Sequence, residues 1–303
     1  MVYCAHDAIF ARQIIDDFEQ QTGLDVWVRY DTEATKSLGL VNLLLSEKSN
    51  PQCDVFWNNQ LLGTLELAEN GVLEPYQGEG AQRIPAQFKN EYGLWTGFAA
   101  RLRLLVRHPD QSETPFDPAL DVASPDFALA KPMFGTTLSH FSLLAKVQGV
   151  EALKQWYDQA VEKGCRVVAG NSQVRDVVAH GGALWGYTDT DDYLVAIERG
   201  EELIAEPVRV EGKTICIPNT VGIINGTRKR EAAEKLVDYL LSEQVERKLA
   251  NSDAGQIPLG PTDRDSLPEQ VQQFANWAEQ SHDLRDLLPF RRDVLNWLTN
   301  TSH

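Results

Sequence analysis

Residues 185–193 read WGYTDTDDY and place three carboxylates (Asp189, Asp191, Asp192), two threonines and three aromatic rings within nine positions. The small apolar turn GGAL at 181–184 precedes them, so the pattern predicts a short buried strand ending at Trp185 or Tyr187 and then a loop. The acids then sit at the carboxyl end of a strand, where open α/β sheets place their ligands. Carboxylates held this close repel one another unless a cation, a proton or hydrogen-bond donors lie between them. A plainer role is also compatible with the spacing: Asp191 and Asp192 would cap a helix over 193–200 and stabilise its dipole.

Other polar strand ends fall at regular intervals along the chain. A first buried strand over 2–5 leads to His6-Asp7 and a helix whose Ile9, Phe10, Ile14 and Phe18 recur at helical spacing. A second strand over 26–30 ends in Tyr30-Asp31-Thr32-Glu33, and a third over 53–57 ends in Trp57-Asn58-Asn59. The order β-α-β-α-β with right-handed crossovers makes this sheet parallel, so the three loops share one edge. For each alone an ordinary helix start explains the residues, and their convergence is what suggests a site. Further on, Gly135-Thr136-Thr137 with Ser139, and Gly170-Asn171-Ser172, open two more helices whose hydroxyls and amides suit an anion or simply form an N-cap.

Two long apolar runs organise these units. Residues 94–107 (LWTGFAARLRLLVR) exceed the usual strand of about 5 to 6 residues, as expected of a strand passing from one domain to the next. Arg101 and Arg103 stand at i and i+2 within it, hence on one face, where each pairs with an acid or meets an anion. Residues 213–226 would be the return crossing and 256–261 a third. The expected architecture is α/β with two lobes, 1–102 with 220–257 and 103–219 with 258–303, the last part helical over 267–298.

Composition narrows the classes. The chain has 303 residues, enough for two domains of about 150 each. Its formal charge of −16 argues against a nucleic-acid surface and mildly favours a cation binder. No apolar run approaches the roughly 18 residues of a membrane span. Cys4, Cys53, Cys165 and Cys216 lie far apart in apolar strand contexts without zinc spacing, and read as buried thiols, with a Cys4–Cys53 bridge open if their strands are neighbours.

Polar strand-end loops on two α/β lobes joined by crossing strands describe a solute-binding protein that closes on its ligand. The chain also resembles the extracellular solute-binding proteins of ABC importers, with a type II periplasmic-binding-protein fold, in the ferric-iron-binding branch. The residues that carry the likeness are VYCAHD, FEQQTGLDV, NPQCDVFW, LAENGVLEPY, GLWTGFAARLRLLV, and NTVGIINGTRKREAAEKLVDYLLSEQVERKLA followed by QIPL. The resemblance implies a metal-binding histidine at His6, a hinge arginine at Arg101 with Arg103 beside it, and an anion-binding helix start at Thr136 and Thr137. The family's tandem tyrosine falls on Asp191-Asp192, a departure: two carboxylates accept Fe(III) but also Mn(II), Ca(II) or an organic cation. Export to the periplasm or cell exterior, as a mature form whose leader has been removed, is likewise implied by the resemblance.

Three functions follow. The first is capture of ferric iron in the interlobe cleft and delivery to a membrane permease by a monomer that needs no catalytic cofactor. His6, Asp31, Glu33, Asp191, Asp192 and Tyr187 would be donors, with Arg101 and the Thr136-Thr137 helix start holding a companion anion. The second is an organic solute, either a cationic amine boxed by Tyr30, Trp57, Trp185 and Tyr187 against Asp189 and Asp191, or a phosphorylated compound held by the arginines and threonines, with Thr32, Asn58 and Asn171 as polar contacts. The third, an enzyme working through carboxylate pairs, lacks a GxSxG, HExxH, Walker or dinucleotide motif, so the expectation is a carrier and not a catalyst.

Overall fold

The computed structural model describes residues 1–31, 38–109 and 122–300, so Thr32 and Glu33 lie outside the described residues. The chain divides into two compact units: Met1–Ala100 with Ile217–Ala275 and Asp283–Asp286, and Arg101–Cys216 with Asn276–His282 and Leu287–His303.

In the first unit, β1 (Val2–Cys4), α1 (Ala8–Thr22), β2 (Val28–Tyr30), α2 (Leu38–Ser46), β3 (Val55–Asn58), α3 (Leu62–Glu69), β4 (Leu73–Glu74) and α4 (Glu79–Gln82) lead to the long strand β5 (Thr96–Arg107). The strand β1 is flanked by β2 and β3 in parallel, with Cys4 opposite both Tyr30 and Trp57. Helical and strand periodicities in the sequence therefore give the expected parallel β-α-β-α-β arrangement, and Phe18, Phe56, Trp57 and Phe98 fill its core. Burying each such ring contributes roughly 1.5–3 kcal/mol.

The second unit holds β6 (Phe127–Ala130), α5 (Gly135–Gln148), α6 (Val150–Glu162), β7 (Arg166–Val168), α7 (Asn171–Ala179), β8 (Trp185–Asp189), α8 (Thr190–Glu198), β9 (Ile204–Pro207), β10 (Arg209–Val210) and β11 (Lys213–Thr214). Here β6 pairs in parallel with β7 and β8, and β5 runs antiparallel to β8 and β9. Gly186 lets α7 close on this sheet: a Cβ there would sit 2.4 Å from Val174 Cγ1 and 3.0 Å from the Ala128 carbonyl.

The return strand β12 (Cys216–Ile224) is shorter than the single run expected over 213–226, because β11 turns away to pair with β10. It runs antiparallel to β3, with Thr220 opposite Asn58. The helices α9 (Arg230–Leu240), α10 (Glu243–Ala250), α11 (Glu269–Ala278) and α12 (Leu288–Asn300) complete the chain. The expected helical tail is thus two helices. The lobe division expected at 258 also differs, since most of α11 belongs to the first unit, where Leu267 and Val271 pack on Ala250. The third crossing strand expected over 256–261 is not formed: within it only Ile257 makes an isolated bridge, with Ala100.

All four cysteines are buried thiols without a disulfide, which settles the open Cys4–Cys53 pairing. Burial pushes the Cys165 thiol up to about 11 and those of Cys53 and Cys216 to about 12. Because thiolate is the reactive form, the native protein is expected to leave a colorimetric disulfide reagent almost unchanged at neutral pH. Four equivalents should react once denaturant is added, and rapid reaction of the native chain would contradict this packing.

Candidate functional site

The second unit gathers the densest set of candidate residues, and its sheet explains why. The strands β6, β7 and β8 are parallel, and each runs into a helix: α5 begins at Gly135, α7 at Asn171 and α8 at Thr190. Three helix N-termini therefore lie at the carboxyl edge of one sheet, bringing amide donors and partial positive charge with them.

Asp189 is the residue these termini enclose. Its carboxylate, 2 % exposed, accepts from Arg103 Nη1 at 2.7 Å, Thr136 Oγ1 at 2.5 Å and Asn171 Nδ2 at 2.8 Å. Thr137 Oγ1 in turn donates to Asn171 Oδ1 at 2.9 Å. Arg103 stands directly opposite Asp189 in the β5–β8 pair, so strand register sets this ion pair. The Thr136-Thr137 helix start, expected to receive an external anion, thus receives the chain's own carboxylate.

Asp191 and Asp192 lie in the first turn of α8, whose N-cap is Asp189 and whose first residue is Thr190, so they do not cap a helix beginning at Tyr193. Asp191 pairs with Arg101 at 3.0 Å, and Asp192 lies 3.7 Å from Arg175 and accepts from Thr188 Oγ1 at 3.1 Å. One carboxylate oxygen from each of Asp189, Asp191 and Asp192 falls within 4.8 Å of the others. Burial, then the negative charges of Asp191 and Asp189, push the Asp192 carboxyl up to about 8, against the pull of Arg175 and Thr188. Arg175, which the sequence reading missed, bonds to its chain neighbour Asp176 at 2.6 and 2.9 Å, and only the packing of α7 beside α8 brings it near Asp192.

The raised Asp192 pKa fixes the sign of a pH effect. In the unfolded chain this carboxyl ionises near its ordinary value of 3.8, whereas in the folded chain it keeps its proton to about 8. Between those values folding takes up a proton, so this group's contribution to stability declines as pH rises through the window and levels off above it. Urea unfolding across the window is expected to show that decline in the parent relative to Asp192→Asn, which has no proton to exchange. Parallel curves would remove the assignment.

The aromatic candidates are spent on packing. Tyr187, 5 % exposed, meets Phe127 at 4.9 Å and His140 at 5.1 Å edge-on, and burial pushes its phenol pKa up, opposed by Arg103. A phenolate donor at Tyr187 would have to overcome that burial. Burial, then Arg103, holds His140 well below the usual imidazole range and so neutral. Trp185 is buried with Arg107 over its ring at 5.7 Å.

In the first unit, the register of Cys4 with Tyr30 and with Trp57 brings the ends of β1, β2 and β3 together, as expected, with His6 and Asp31 following the first two and Asn58 ending the third. His6 is buried with its ring 5.3 Å from Trp57 and 6.0 Å from Phe10, and Trp57 is 0 % exposed against Phe98. Trp57 is therefore core here and does not form the wall of a solute box. Asn58 Nδ2 donates to Thr64 at 3.1 Å, and Arg12 lies over the Tyr30 ring at 5.7 Å.

Comparison with known proteins places this architecture. The family model described as bacterial extracellular solute-binding protein matches residues 1–252. The chain belongs to that family. Among relatives of this solute-binding protein, iron uptake protein A2 of Synechocystis sp. is 26 % identical over 254 residues, covering 74 % of this chain and 70 % of the relative. The ferric binding protein from Campylobacter jejuni superposes with a TM-score of 0.86 at 17 % identity, covering 99 % of this chain and 98 % of the other. The periplasmic binding protein AfuA from Actinobacillus pleuropneumoniae, with exogenous fructose-6-phosphate bound, gives 0.81 at 17 % identity over 99 % and 97 %. The solute-binding protein thus has the expected two-lobed, type II α/β fold of periplasmic binding proteins.

Proposed function

We propose that this solute-binding protein is the substrate-capturing component of an ABC importer and that its cargo is ferric iron. The observation that carries the reading is the carboxylate trio, whose oxygens approach within 4.8 Å of one another. Hard, anionic oxygens suit a small, highly charged cation. Asp191 and Asp192 are the donors on this reading, because Asp189 is already held by Arg103, Thr136 and Asn171. The competitors already at these carboxyls, Arg101 at Asp191 and a proton at Asp192, favour a trivalent over a divalent ion: each group must exchange a single positive charge, and Coulomb attraction grows with the charge of the incoming ion. Arg101, displaced from Asp191, would then meet a companion anion. The similarity to iron uptake protein A2 and to the Campylobacter ferric binding protein supports the same cargo. The protein works as a monomeric carrier, not a catalyst, outside the cytoplasmic membrane, and hands its cargo to a membrane permease; no nucleic acid takes part.

A second reading, a phosphorylated organic solute, is favoured by one feature: Nε and Nη2 of the fully buried Arg103 have no hydrogen-bond partner among the described residues. The AfuA similarity supports it. Elemental analysis of undialysed protein beside native mass spectrometry separates the two. Stoichiometric iron is expected, and an organic mass without metal would overturn the first reading in favour of the second.

A further inference from the structure

Thr188, the last residue but one of β8, links two groups that meet only through packing within the second unit. Successive side chains of a strand alternate between its faces, so Thr188 shares the face of Gly186, against which α7 closes. It is buried. Its Oγ1 lies 3.1 Å from the carbonyl oxygen of Asn171, the first residue of α7, and 3.1 Å from Asp192 Oδ2, in the first turn of α8. Asn171 is fixed in turn, since its Nδ2 donates to Asp189 and to Thr136, both at 2.8 Å. The hydroxyl that meets Asp192 therefore stands on a strand and is braced by the network around the buried Asp189.

The oxygens of both neighbouring acids are held from defined places. Asp191 Oδ1 accepts from the Asp192 amide at 3.1 Å, and its Oδ2 pairs with Arg101 at 3.0 Å. Asp192 Oδ1 faces Arg175 Nη1 at 3.7 Å while its Oδ2 faces Thr188. An arginine side chain is long enough to follow a carboxylate that moves. Thr188 is not: its side chain turns about χ1 alone, with few rotamers, and its backbone is paired with Leu104 of β5. A hydroxyl has a single hydrogen to give, and an ionised carboxylate draws it more strongly than a carbonyl does. Once a cation holds Asp192 in its ionised form, Thr188 keeps Oδ2 at hydrogen-bond distance from the strand.

We propose that Thr188 is a positioning residue that sets the size selectivity of the site: it stops Asp192 from swinging away from Asp191, and so favours a small trivalent ion over a large one. The proposal rests on the reading of Asp191 and Asp192 as donors. A bound ion dictates how far apart its donor oxygens stand, so selectivity between ions of equal charge depends on how freely those donors can spread. Without the hydroxyl, Asp192 gains that freedom, and a large ion loses less than a small one.

The test uses two pairs of proteins that differ at one hydroxyl: the parent with Thr188→Val, and Thr188→Ser with Thr188→Ala. Each is titrated with gallium citrate, which supplies a small trivalent ion, and with terbium citrate, which supplies a large one. The gallium-to-terbium affinity ratio is expected to fall about tenfold in Thr188→Val and Thr188→Ala, the lower end of what loss of an outer-shell partner costs, and to stay near the parent's in Thr188→Ser. Either pair decides if a member of the other does not fold. A hydroxyl-free variant that keeps the parent's ratio, or that loses both ions by a common factor as a merely structural residue would, overturns the proposal. So does a serine variant that behaves like the alanine one. Asp192→Asn separates this result from the donor reading. If it leaves gallium binding at the parent's level, or if the parent binds neither ion, the donor assignment fails and the proposal with it. If it weakens gallium binding while the members of each pair stay alike, the donors stand and only the role of Thr188 fails.

Discussion

Replacing Asp191 and Asp192 together by Asn is expected to weaken ferric-ion binding by more than the roughly 10–100-fold that loss of an outer-shell partner costs, because it removes two direct carboxyl donors, of which Asp192 gives up its proton to the incoming cation, and not merely their support. The fold should survive. Both residues lie in the first turn of α8, where Asn is tolerated, and the buried bracket around Asp189 is left intact. Removing the Asp191 charge also takes from Arg101 its carboxylate partner there, while Arg175 keeps Asp176, so any gain in anion binding over the parent should arise at Arg101. Calorimetric titration of apo protein with ferric citrate, Mn(II), Ca(II) and inorganic phosphate measures all of this. A folded double variant that holds iron as the parent does would sink the donor assignment.

A second large effect is expected on stability. Asp189→Asn is nearly isosteric, yet it leaves the guanidinium of Arg103, 0 % exposed, without its counter-charge. Breaking one side of such a buried pair costs about 3–5 kcal/mol. Arg103→Met strands Asp189 in turn, although Thr136 and Asn171 still donate to it, so its cost should fall at the lower end of that range. The double variant should be less destabilised than the sum of the two, by at least about 1 kcal/mol, since neither charge is then left alone. Urea unfolding of the four proteins gives the cycle. Additive losses would show that the pair is a coincidence of register and not a coupled unit.

Much of the frame was determined by the sequence alone. The alternation of apolar strands with amphipathic helices specified the parallel strands of the first unit, and because parallel strands share an edge, the residues after Cys4, Tyr30 and Trp57 had to meet. The unusual length of the 94–107 run foretold a strand that enters a second unit, as β5 does. Gly135-Thr136-Thr137 and Asn171 were legible as helix starts, since small and hydroxyl-bearing residues there satisfy exposed amides.

What each side chain does at those places was decided only by tertiary structure. No spacing in the sequence reveals that Arg103 faces Asp189, because antiparallel register couples residues far apart in the chain. That one pairing turns Asp189 from a candidate ligand into an internal counter-ion and fills the anion place at Thr136. Helix α8 starting at Thr190, and not at Tyr193, depends on Asp189 ending its strand. Burial had the same effect on the rings: Trp57 and Tyr187 carry the composition of a binding box, but sheet packing places them in the core. Arg175 gave no signal as a neighbour of the acidic turn, because its bond to Asp176 is local while its approach to Asp192 comes only from the packing of α7 by α8.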